Sequence, residues 1–84
     1  MKTLHVVRTL KERIPFDLAI QFKEYHRNAI LLIQEGVYYK GPFPQDCFIS
    51  ATDLTARGIA SSLPTLTDDE ICKMIVEYDR TIIW

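Results

Sequence analysis

Glycine is scarce in this chain, with three among 84 residues, at positions 36, 41 and 58. Scattered so widely, they make no glycine-rich loop of the kind that cradles phosphate, which argues against nucleotide binding. Cysteine is scarcer still. Cys47 and Cys72 form neither a close-spaced pair nor a disulfide framework, so the chain reads as cytoplasmic with reduced thiols. An excess of one charge is also missing. Ten Lys and Arg against eleven Asp and Glu leave a net charge of −1, whereas direct binding of nucleic acid needs clustered cations. No apolar run approaches the length of a membrane span, and no signal-peptide pattern is readable. His5 and His26 stand at no metal-ligand spacing from each other or from the cysteines. No metal site and no cofactor is therefore expected. There is no readable Ser-His-Asp arrangement, no repeat, no low-complexity tract and no internal linker.

The apolar share is high for so short a chain, at 48% of residues, with 11% aromatic. Small domains are marginally stable and often lean on oligomerisation. The expectation is one domain over residues 1–84, with part of its apolar surface covered by another subunit. A denser core of its own is the alternative. Charge is unevenly spread: Lys2, Arg8, Lys11 and Arg13 lie early, while Asp68, Asp69, Glu70, Glu77 and Asp79 lie late. Solvated faces account for most such imbalances; an end-to-end contact between subunits is the alternative.

The most informative stretch is Ile30-Leu31-Leu32-Ile33-Gln34-Glu35-Gly36-Val37-Tyr38. An unbroken apolar run suits a parallel strand covered on both faces. The polar pair and Gly36 fall at its carboxyl end, where open α/β sheets place their sites. Thr3–Val7 reads as a first strand, and Pro15 opens a helix over about 15–26 with Leu18, Phe22 and Tyr25 on its apolar face. Asn28 would close that helix. A single helical turn is expected over 37–40, ended by Gly41-Pro42-Phe43-Pro44. A third strand follows over 47–51. Asp53 would cap a short helix to Arg57, with Gly58 in the left-handed position at its end. Pro64-Thr65-Leu66 is a weak edge strand. Thr67 and Glu70 are spaced as a capping box, and Ile71, Met74, Ile75 and Tyr78 repeat at helical intervals. Thr81–Trp84 closes the chain as a strand. Strands alternating with helices give an α/β fold, a three-layer αβα sandwich with a largely parallel sheet of four or five strands.

Three segments together resemble the DsrH/TusB family of sulfur-relay subunits. Leu31-Leu32-Ile33-Gln34-Glu35-Gly36-Val37-Tyr38 is similar to that family's apolar strand followed by Gln-Asp-Gly-Val. Ala51-Thr52-Asp53-Leu54-Thr55-Ala56-Arg57-Gly58 is similar to its Asp-Leu-x-Ala-Arg-Gly turn. Asp79-Arg80-Thr81-Ile82-Ile83-Trp84 is similar to a tail ending in tryptophan, and the opening Leu4-His5 is also typical. Glu35 stands where the family usually has aspartate, the loop around Gly41-Pro42-Phe43-Pro44 is short, and Asp17–Ile20 lacks a cysteine that some relatives carry on the first helix. The resemblance implies a DsrEFH-like fold and a role in moving sulfur as a protein-bound persulfide. The destinations are 2-thiolation of wobble uridine in tRNA or oxidative sulfur metabolism. It also implies assembly with DsrE/TusD-like and DsrF/TusC-like sister subunits, the DsrE type usually carrying the active cysteine.

A persulfide carrier needs an accessible thiolate favoured by a helix N-terminus or by cations. Cys47 opens an apolar strand and reads as a small buried hydrophobe. Cys72 sits beside Asp68, Asp69 and Glu70, which disfavour a thiolate. The chain is therefore expected to be an accessory subunit with no independent catalytic activity. The alternatives are a carrier in its own right through Cys47 or Cys72, and a stand-alone homo-oligomeric binding module. Gln34 and Glu35 read either as recognition groups or as local caps of the turn at Gly36. Asp53 and Arg57 read as a cap and an i, i+4 pair, or as a contact at the same sheet edge. Tyr38, Tyr39, Phe43 and Trp84 are candidates for a partner interface, with core packing the alternative for Trp84. His5 reads as a satisfied core or interface histidine.

Overall fold

The computed structural model describes residues 2–11, 16–17, 27–44 and 46–84. The elements are β1 (Lys2–Val7), β2 (Arg27–Leu32), a 3-10 helix (Gln34–Tyr38), β3 (Cys47–Ser50), α1 (Ala51–Arg57), β4 (Thr65–Leu66), α2 (Asp68–Glu77) and β5 (Arg80–Ile83). The helix expected over about 15–26 falls outside the described residues, except that Phe16 and Asp17 are helical.

In β2 the unbroken apolar run is explained by what lies on either side. Successive side chains of a strand point to opposite faces. Ile30 and Leu32 join a cluster with Val7, Cys47 and Ile49, while Ala29 and Leu31 join Leu4, Val6 and Leu66 on the other face. Both faces are covered, so polar alternation would bury polar groups. Each Leu or Ile removed from water in this way contributes roughly 1.5–3 kcal/mol.

All pairings in the sheet are parallel, in the order β4-β3-β2-β1-β5. The chain steps outward from β1 to β4 on one side and then returns to place β5 on the other side of β1. Right-handed crossovers running in opposite directions put their helices on opposite faces. Accordingly Val37 of the 3-10 helix, Leu54 of α1 and Phe16 pack on the first face. Ile71, Met74 and Tyr78 of α2 pack on the second. The result is a three-layer α/β sandwich, with β4, of two residues, at the edge. Its radius of gyration, 11.9 Å, is close to the roughly 12 Å expected for a compact domain of this length. Among the described residues no helix is long and apolar enough to cross a membrane.

Several local expectations need correction. Asn28 lies inside β2, paired opposite Thr3, and does not close a helix. The helical turn after β2 covers Gln34–Tyr38, three residues earlier than its spacing suggested. Ala51 is the first residue of α1, and its cap is Ser50, whose Oγ accepts from the Asp53 N–H at 3.2 Å. Asp53 instead sits in the first turn, where its charge suits the helix dipole. Gly58 does take the left-handed conformation, φ 62°. The Thr67–Glu70 capping box is formed in both directions, at 3.0 and 3.3 Å. Of the early basic residues, Lys2 reaches the late acidic segment within one chain. The Lys2 N–H donates to Asp79 Oδ2 at 2.7 Å, and the Lys2 ammonium lies over the Tyr78 ring.

Candidate functional site

The carboxyl edge of β2 is shaped by a close backbone approach. The Ile33 N–H donates to the Val7 carbonyl at 3.1 Å, carrying the chain across the end of β1. Gln34 then adopts φ 51°, a left-handed conformation that costs a non-glycine residue roughly 1–2 kcal/mol. Gly36 lies against the same Val7 carbonyl, where any Cβ would collide with backbone. This turn buries Gly36 and Val37 and leaves Gln34 and Glu35 exposed. The Gly36 N–H and Tyr39 N–H are both satisfied by backbone carbonyls. α1 packs beside the 3-10 helix, so Asp53 and Arg57 come to the same region. They are occupied with each other, Arg57 donating to Asp53 Oδ1 at 3.1 Å.

The four aromatic candidates separate into two kinds. Tyr39 is committed within the chain. It stacks on Phe16 at 3.9 Å and meets Phe43 edge-on at 5.5 Å, and its hydroxyl donates to the Pro42 carbonyl at 2.7 Å. Trp84 is also committed. Its indole N–H donates to His5 Nδ1 at 3.1 Å and its ring stacks on the imidazole. Because His5 Nδ1 accepts, the neutral ring carries its proton on Nε2, which donates to Asn28 Oδ1 at 2.9 Å. His5 is buried and satisfied, as its strand position suggested. By contrast Tyr38 and Phe43 remain 46% and 41% exposed. They flank a surface groove of about 440 Å³ whose opposite wall is Ile59–Ser62. No periodicity or motif in the sequence marks residues 59–62 as that wall.

The two thiols differ sharply. Cys47 is 2% exposed in β3, opposite Ile30, and burial pushes its thiol up to about 12. Cys72 is exposed on α2, one turn from Asp68 and Asp69. The sheet places Cys47 at the amino end of β3, away from Gln34 and Glu35 at the carboxyl edge. Among the described residues no group of three or more His, Cys, Asp or Glu side chains could hold a metal ion. No protein-family model matches the chain, and no curated protein matches it.

Proposed function

We propose that this chain is an accessory subunit of a cytoplasmic sulfur-relay assembly, held against DsrE-type and DsrF-type sister subunits that carry the persulfide. The relay would serve 2-thiolation of wobble uridine in tRNA or sulfur oxidation. The observation behind this reading is the state of Cys47. Sulfur moves when a thiolate attacks a sulfane sulfur, and a thiol buried in an apolar cluster and held protonated far above neutral pH neither attacks nor is reached. Cys72 is reachable on α2, with Asp68 and Asp69 one turn before it and Lys73 beside it, and the test below reads it directly. Docking has surfaces to use. Gln34 and Glu35 stand exposed at the carboxyl edge. No residue of α2 is fully buried, and Val76 and Ile83 remain 84% and 63% exposed on that side of the sheet. The family resemblance of the Gln34–Tyr38 and Asp53–Gly58 segments supports the relay itself.

The test is to express the chain together with DsrE-type and DsrF-type subunits from its source, treat the complex with a persulfide donor and measure each subunit by intact mass spectrometry. The sulfur adduct is expected on a partner and not on this chain, and a Cys47→Ser/Cys72→Ser double variant should relay at the wild-type rate. An adduct on Cys47 or Cys72 whose loss stops relay would make the chain a carrier. Elution of this chain as a homo-oligomer, free of both partners, would make it a stand-alone module.

A further inference from the structure

From the groove between the 3-10 helix and the Ile59–Ser62 segment, we infer that the chain binds a small flat anion, an aromatic ring bearing a carboxylate or phosphate. This inference is independent of the relay reading. Three observations carry it. The groove, about 440 Å³, falls in the size range of small-molecule sites. Phe43 stays 41% exposed although its ring is held in place. Tyr39 abuts it edge-on at 87°, and Tyr39 is itself locked between Phe16 and the Pro42 carbonyl. A rigid, half-exposed ring is a preorganised stacking surface, because no ordering cost falls due on binding. Tyr38 offers a second ring, and Val37 and Ile59 supply apolar walls.

Among the described residues the polar lining supplies donors and no carboxylate. Lys40, exposed at the groove's lining, carries an ammonium within reach of a bound head group. Ser61 Oγ already accepts from the Leu63 N–H at 3.2 Å, which leaves its own O–H to donate, and Ser62 adds a second exposed hydroxyl. In a chain of net charge −1, a groove whose described lining holds Lys40 and no Asp or Glu has a local anion preference. Charge-assisted hydrogen bonds would fix the head group while the rings hold the body.

The test titrates the full chain with 1-naphthoate, 1-naphthyl phosphate and the neutral 1-naphthol, following backbone amides by NMR. Both anions should shift the amides of residues 37–40 and 59–62 saturably, and bind about ten-fold more tightly than naphthol. The ranking of carboxylate against phosphate identifies the head group. Lys40→Ala should bring the anions down to the level of naphthol without changing naphthol itself, and Phe43→Leu should weaken all three. Should Phe43→Leu not fold, the exposed Lys40 still decides. Equal binding of anions and naphthol, shifts mapping elsewhere, or no saturable shift at millimolar ligand would each overturn the proposal.

Discussion

Cys47 sits in the same apolar cluster as Val7, Ile30 and Leu32, and its thiol is raised from 9.0 to about 12. In the unfolded chain the same thiol ionises near its ordinary value. The folded state therefore keeps a proton that the unfolded state releases. Its contribution is complete below about pH 9 and is lost as pH climbs toward 12, at about 1.4 kcal/mol per pH unit at most. Cys47→Ala removes this linkage. Chemical unfolding followed between pH 8 and 11 should show the wild type losing stability faster than the variant, whose difference from wild type narrows as pH rises. Parallel curves would mean that the sulfur is not shielded as the fold requires. Gly36 is a different kind of residue-scale constraint. The sequence marks it as a strand-end glycine, but its reason is contact with the Val7 carbonyl, which depends on a neighbouring strand and not on any local pattern.

At the scale of elements, α2 is held at its start by side-chain chemistry more than by burial, since none of its residues is fully buried. The Glu70 carboxyl is drawn below its ordinary value chiefly by the hydrogen bond from the Thr67 N–H, then by the Thr67 side chain, with Lys73 adding attraction. A lowered carboxylate stabilises the fold above its ordinary titration range, and that contribution is lost as pH falls through the lowered value. Acidification should therefore fray the first turn of α2 ahead of the sheet. Thr67→Ala should cost about 1 kcal/mol and, because the backbone N–H at position 67 remains as donor, return the Glu70 titration, read from its side-chain carbon resonance, only part of the way to the ordinary range. Glu70→Gln, which can still accept from the Thr67 N–H, should remove the acid sensitivity. A full return to the ordinary range in Thr67→Ala would refute the backbone N–H as the chief cause. This helix was legible in the sequence because its cap and its period lie within a dozen adjacent residues. So were β2, Gly58 and the edge strand at Thr65–Leu66. The cap of α1 was misplaced by three residues because Ser50 and Asp53 are both good caps, and only the backbone shows which one precedes the helix. The second wall of the groove was not legible at all, since it pairs two loops about 20 residues apart in sequence.

For the whole molecule, the decisive arrangement is the return of β5 to the open side of β1. It brings Trp84 beside His5, 79 residues away in sequence, and His5 beside Asn28, so one polar chain ties β5, β1 and β2 together on one face. Trp84→Phe keeps a ring but strands the buried His5 nitrogen. An unsatisfied buried acceptor costs roughly 1–3 kcal/mol. The urea midpoint, followed by circular dichroism, should fall accordingly with its slope unchanged. A midpoint equal to wild type would show that the indole contributes only surface. The same topology fixes an order of events during synthesis. Among the described strands β2, β3 and β4 each pair with the strand made just before them, yet the other flank of β1 keeps its amides and carbonyls unpaired until the segment Arg80–Ile83 has emerged. A message truncated even a few codons before that point would yield a protein with nearly all of its core and an open, apolar strand edge, a ready template for self-association.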